Sequence, residues 1–178
     1  MEQLFPLPPG VRAPDFTLPH TLRQTLSLHT VHHSSVVLVF YPFDWEPVSR
    51  EQLALYQDYL VEFDRLGASL LGISVDQVWS HGAFAREVRI GFPLLSDATP
   101  RGTVSRLYGV YREREERSSR ALVAIDEDGV IRFSQVYPDE LNPGVNDILT
   151  ACEAIAAEDT AALYRRTHAA RSQSVHAG

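Results

Sequence analysis

The chain has 178 residues, 44% of them hydrophobic and 22% charged, which describes one globular domain with a substantial core and excludes a disordered or low-complexity chain. Its net charge of −7 disfavours nonspecific binding to nucleic-acid phosphates. The single cysteine, Cys152, excludes an internal disulfide, and no apolar run approaches the roughly 18 residues of a membrane helix, so a cytoplasmic location with no membrane partner is expected.

Met1–Val11 is a proline-rich extended arm, and Ala13-Pro14-Asp15-Phe16-Thr17-Leu18 is a first strand with Leu26–Leu28 as hairpin partner. His29, His32 and His33 follow in a Ser/Thr-rich connection. No cysteine or carboxylate cluster accompanies them, so they read as a solvated turn rather than metal ligands. Val36–Tyr41 is a continuous apolar run, the pattern of a strand buried on both faces. Pro42 and Pro47 then punctuate the chain, and Pro47 suits the first position of a helix, where its missing N–H is not needed. That helix is predicted to run to about Leu66, with Leu53, Tyr56, Leu60 and Phe63 on one face, before Gly67 ends it.

Ser69–Val75 is a second buried strand. Val78–Arg89 is an amphipathic helix with His81 near its start, read as a packing or capping residue. Phe92–Leu95 is a short strand and Thr103–Tyr108 a short helix. The run Arg112-Glu113-Arg114-Glu115-Glu116-Arg117 alternates in sign and is expected to be a solvated loop; its functional alternative is a flap near Arg120 or a docking edge. Arg120–Asp126 and Val130–Tyr137 flank Glu127-Asp128-Gly129 as a hairpin. Gly144 to about Arg166 is a last helix, in which Cys152 reads as inert packing. The domain is thus expected over 1–166, with a flexible tail over 167–178. Alternating strands and helices followed by a hairpin predict an α/β fold with a mixed sheet and helices on both faces.

The segment Val36–Leu53, VVLVFYPFDWEPVSREQL, resembles the active-site stretch of the peroxiredoxins, the alkyl hydroperoxide reductase and thiol-specific antioxidant family. Further blocks carry the likeness over roughly Val11 to Ile155: the first strand, Leu71-Gly72-Ile73-Ser74-Val75-Asp76, Phe92-Pro93-Leu94-Leu95-Ser96-Asp97, Tyr108-Gly109-Val110, and Arg120-Ala121-Leu122-Val123-Ala124-Ile125-Asp126. The resemblance implies a thioredoxin-like three-layer sandwich. It also implies an active site in which Pro42 matches the motif proline and Arg120 the arginine that polarises peroxide. Two positions depart from the family. Glu46 replaces its Thr or Ser, and Ser49 replaces its peroxide-reducing cysteine. Some relatives carry further cysteines at the positions of Ser80 and Ser118. No cofactor and no metal is implied.

Peroxide reduction needs a thiolate, which the family sets in a first helical turn. The sulfur passes through sulfenic acid and is restored by a second thiol. A serine oxygen has neither the acidity nor that oxidation step, so the chain is expected to be inactive as a peroxidase. Glu46 is expected to pair with Arg120 and fill part of the peroxide pocket. Ser49 as a hydrolase nucleophile would need a histidine base, and none lies nearby in sequence. The alternatives are a cysteine-to-serine form of an active peroxiredoxin, an oxidoreductase acting through Cys152 or a partner's thiol, and a non-catalytic small-anion-binding or regulatory dimer. The expected partners are a hydroperoxide or small anion in the Ser49/Arg120 pocket and a second copy of the chain. Trp45 and Trp79 read as apolar anchors, Trp45 either at an interface or in the core.

Overall fold

The structure, a computed structural model, describes residues 4–31 and 35–175, with side chains as far as residue 165. His32 and His33 lie outside the described residues. In chain order the elements are β1 (Thr17–Pro19), β2 (Thr25–Ser27), β3 (Ser35–Phe40), α1 (Pro47–Asp58), α2 (Leu60–Arg65), β4 (Ala68–Ser74), α3 (Val78–Val88), β5 (Leu94–Ser96), α4 (Thr103–Leu107), β6 (Tyr111–Arg112), β7 (Arg117–Ser118), β8 (Arg120–Asp126), β9 (Ile131–Tyr137) and α5 (Asn146–Val175).

Every side chain of β3 is buried, and period-two alternation divides them between two apolar layers. Val37, Val39 and the following Tyr41 meet Leu53 and Tyr56 of α1, Phe63 of α2, Phe84 of α3 and Ile148 and Ile155 of α5. Val36, Leu38 and Phe40 belong to the second layer, with Phe16, Leu18, Val104 and Tyr108. Each such side chain stabilises the fold by about 1.5–3 kcal/mol through burial. β3 is therefore central, in a five-stranded sheet of order β5-β4-β3-β8-β9. The β3–β4 and β4–β5 pairs are parallel, and the β3–β8 and β8–β9 pairs antiparallel. The mixed sheet with covered faces matches the sequence pattern.

Three elements differ from expectation. The long helix breaks at Tyr59 into α1 and α2, with no glycine or proline at the break. The sign-alternating run keeps its expected exposed turn over residues 113–116, where Glu116 has a positive φ of 50°, but its end residues Arg112 and Arg117 pair in the hairpin β6–β7. The backbone of α5 continues to Val175, past its predicted end near Arg166. The amino-terminal arm also docks. Gly10 N donates to Ile131 O at 2.7 Å, and Leu7 N donates to Tyr108 O at 3.2 Å. Gly109, at φ 71°, is required there, because a Cβ would run into the Phe5 carbonyl.

The β3–β8 pairing is what builds the site. Phe40, near the end of β3, lies opposite Ala121, near the start of β8. The antiparallel register thus brings Arg120 beside the point where the chain leaves the sheet through buried Pro42 to enter α1.

Candidate functional site

Pro47 stands in the first turn of α1, where it is tolerated, and Glu46 is the N-cap. The Glu46 carboxylate accepts from Val48 N at 2.9 Å through Oε1 and from Ser49 N at 2.7 Å through Oε2. This satisfies two of the free amides of the helix start and sets negative charge at the positive end of the helix. Ser49 is fully buried in the first turn, and its hydroxyl also donates to Glu46 Oε2, at 2.7 Å.

Arg120 is fully buried and makes four hydrogen bonds. Nη2 donates to Glu46 Oε2 at 2.8 Å and to the Asp139 carbonyl at 2.9 Å. Nε donates to the same carbonyl at 3.2 Å, and Nη1 to Gln52 Oε1 at 2.7 Å. One carboxylate oxygen, Glu46 Oε2, thus joins the helix start, the Ser49 hydroxyl and the buried guanidinium. The structure brings Glu46, Ser49 and Arg120 together. It places Pro42 buried at the exit of β3, where it shapes the backbone and contributes no donor.

Burial opposes the charge on Glu46. Hydrogen bonds from the Ser49 hydroxyl, the Val48 and Ser49 amides and Arg120 outweigh it and hold the carboxyl below its ordinary value of 4.5. The folded state therefore binds that proton less readily than the unfolded chain. The stabilisation is complete above pH 4.5 and fades as pH falls through the depressed folded value. Acid titration of stability is expected to take about 1–2 kcal/mol more from this chain than from Glu46→Gln over that window, as read by urea unfolding. Equal acid sensitivity of the two proteins would remove Glu46 as the titrating group.

Two members of the site escaped the sequence reading. Gln52 follows Ser49 by three residues, a spacing that puts both on one helix face and could have marked it. The Asp139 carbonyl had no sequence signal. Asp139 also links the site to the hairpin, because its carboxylate accepts from Arg117 at 2.7 Å and lies 3.5 Å from Arg112. The charged run therefore reaches the loop that caps Arg120, which bears on its flap alternative.

Other candidates fall elsewhere. Ser118 is buried and bonds the Ser105 hydroxyl at 2.7 Å. Ser80 donates to Asp44 at 2.6 Å. His81 is not a helix cap but a buried partner of Asp44 at 2.8 Å. Ser49 therefore has a carboxylate partner, and the buried His81 is bound to Asp44 instead. His29 is exposed and pairs with Asp15 at 2.8 Å. Trp45 and Trp79 are not core anchors: they are 55% and 69% exposed. Trp45 still packs edge-on against Phe84 with ring centroids 5.3 Å apart. Cys152 is buried in α5, and burial pushes its thiol up to about 12. Among the described residues, no three His, Cys, Asp or Glu side chains could hold a metal ion, and no helix is long and apolar enough to cross a membrane.

The mixed sheet and its two covered faces form a thioredoxin-like fold of the peroxiredoxin type. The reduced 2-Cys peroxiredoxin of Plasmodium vivax superposes with a TM-score of 0.78 at 27% identity, covering 87% of this chain and 85% of that one. Peroxidoxin BcpB of Mycobacterium tuberculosis superposes with a TM-score of 0.75 at 30% identity, covering 83% of this chain and 97% of that one. In sequence, alkyl hydroperoxide reductase E of Mycobacterium tuberculosis is 35% identical over 128 residues, 71% of this chain and 84% of that protein. The AhpC/TSA family model matches residues 9–134. The chain belongs to the AhpC/TSA family of peroxiredoxins.

Proposed function

We propose that this protein is a peroxiredoxin-family member that does not reduce hydroperoxides, with Ser49 standing at the position of the peroxide-reducing cysteine. Glu46 Oε2 carries this reading. It occupies the space between the Ser49 hydroxyl, where an attacking sulfur would stand, and Arg120, which is the space a bound peroxide would need. Attack on an O–O bond transfers oxygen to a sulfur that becomes sulfenic acid, a step with no serine counterpart. The hydroxyl here is a hydrogen-bond donor to a carboxylate, not an activated nucleophile.

Cys152 does not replace the missing thiol. With its thiol pushed up to about 12, roughly one part in a hundred thousand is ionised at pH 7. Hydroperoxide consumption in the presence of a thiol reductant is expected to stay at the buffer rate. Turnover well above that rate would overturn the proposal. In the same preparation, Cys152 is expected to react with a thiol reagent at least about a hundredfold faster in denaturant than in the folded state. Equal rates would contradict its burial.

Glu46 acts as an internal anion for Arg120. Glu46→Thr empties that position, so the variant is expected to bind formate more tightly than the parent in calorimetry, and equal affinity would count against a filled pocket. The partner we propose is a second copy of the chain. Phe43, Trp45 and Trp79 present exposed aromatic surface, Phe43 and Trp45 in the segment that leads into Glu46, and such side chains supply much of the energy of interfaces. Sedimentation at micromolar concentration is expected to show a dimer that Trp45→Ala with Trp79→Ala weakens. A parent chain that stays monomeric would exclude this partner.

A further inference from the structure

The turn between β1 and β2 and one face of α3 form a recess of about 520 Å³ that takes no part in the Ser49 site. Two backbone hydrogen bonds fix the turn: His20 N and Thr21 N both donate to Gln24 O, at 3.1 and 3.3 Å. The turn contributes His20 and Arg23 to the recess. The helix contributes Val78, Gly82 and Arg86, which recur every four residues and so share one face. Two arginines and a histidine thus border one space, and among the described residues no carboxylate lines it. The chain as a whole carries −7, with 23 acidic residues against 16 basic, so this local balance runs opposite to that of the molecule.

Arg50, Arg106 and Arg120 are neutralised where they stand, by Glu87, Glu113 and Glu46. Arg23 and Arg86 make no ion pair and no side-chain hydrogen bond among the described residues. Glu87, beside Arg86 in sequence, does not serve it, because it accepts from Arg50 of α1 at 3.3 Å. Gly82 keeps the space between these groups clear. Glycine weakens a helix interior, and packing does not demand it here: a Cβ would meet only Arg86 Nη1, at 3.7 Å. The same distance locates the guanidinium. Arg86 folds back along α3 over Gly82, so its charge stands at the recess.

We propose that this recess binds the phosphate group of a small phosphate monoester, with Arg23 and Arg86 as its charge partners and His20 as a further donor. Guanidinium groups meet phosphate oxygens through paired N–H bonds. Two of them balance the charge of a phosphate monoester, close to two negative charges near neutral pH. An imidazole keeps at least one N–H in either protonation state, so His20 can donate in both. The volume lies within the roughly 300–1,000 Å³ of small-ligand sites, which leaves room for an organic body beside Leu22 and Val78. The recess shares no residue with Glu46, Ser49 or Arg120, so this proposal and the loss of peroxidase activity can fail separately.

The test titrates the full chain with phenyl phosphate and with dimethyl phenyl phosphate, which has the same ring but no charge. It is run at low salt and about pH 7.5, where the charges are least screened and the monoester is ionised. Calorimetry gives the affinity, and the imidazole resonances of His20 report where the ligand sits. Phenyl phosphate is expected to shift those resonances and to bind at least about tenfold tighter than the neutral ester. Arg23→Gln and Arg86→Gln are each expected to weaken it at least about fivefold without lowering thermal stability, since both side chains are exposed. Arg114→Gln removes the same charge from the exposed turn of β6–β7 and is expected to bind as the parent does. The proposal is overturned if the two esters bind alike, if the His20 resonances stay fixed, or if Arg86→Gln affects binding no more than Arg114→Gln. The comparison of the two esters on the unaltered chain decides the matter even if a variant folds poorly.

Discussion

The double variant Ser49→Cys with Glu46→Thr is expected to reduce hydroperoxides at least about a hundredfold faster than Ser49→Cys alone, measured as peroxide-dependent oxidation of a thiol reductant. Ser49 Oγ now donates to Glu46 Oε2 at 2.7 Å. A thiolate at that place has no proton to donate, so two anions would face each other and the sulfur would be held in its protonated, unreactive form. Glu46 would also keep Arg120 away from the peroxide, since the guanidinium binds the same oxygen at 2.8 Å. Threonine removes the charge, retains a side-chain cap for α1 and releases Arg120. Removing or blocking one group that stabilises developing charge costs about 10²–10³ in rate, which sets the expected size of the gain. If Ser49→Cys alone matches the double variant, Glu46 is not the barrier assigned to it here.

Glu46→Thr with Ser49 retained is expected to lose about 3 kcal/mol of stability, measured by urea unfolding. Arg120 has no exposed surface, and Glu46 is the one carboxylate bound to it among the described residues. Gln52 and the Asp139 carbonyl remain as hydrogen-bond acceptors but carry no compensating charge. Removing one partner of a buried pair typically costs about 3–5 kcal/mol, since the other charge is left stranded. The lower end applies because the Glu46 side chain is 28% exposed and water can follow its loss. A cysteine at position 49, once ionised, returns a negative charge beside Arg120. Adding Ser49→Cys to Glu46→Thr should therefore recover part of the stability, and a double-mutant cycle isolates that coupling. A change below about 0.5 kcal/mol for Glu46→Thr would mean that Arg120 draws its stability from Gln52 and Asp139 instead.

Local rules made much of the fold legible. The uninterrupted apolar run of β3 announced a strand covered on both faces, and the spacing of Leu53, Tyr56 and Phe63 announced the buried face of the helices after it. The exposed turn of the charged run was legible, but the pairing of its ends was not, because alternating arginine and glutamate has no strand pattern of its own. Arg112 and Arg117, at those paired ends, both reach Asp139 across the fold. The break at Tyr59 likewise left no glycine or proline to read. His81 packs, in line with one of the two roles read from its place in the helix, but its partner could not be read because Asp44 is 37 positions away in sequence.

The amino-acid sequence by itself determined the alternation of elements, the serine at position 49, the carboxylate at 46 and the arginine that opens β8, because composition and short-range periodicity are properties of neighbouring residues. Only the tertiary structure decided that Glu46 Oε2 would be shared by Ser49 and Arg120, that Gln52 and Asp139 would complete the shell, and that His81 would be buried with one nitrogen unpaired. Those contacts depend on strand register and on how α1 and α3 lie against the sheet, which are set by packing of the whole core and by no local stretch of chain.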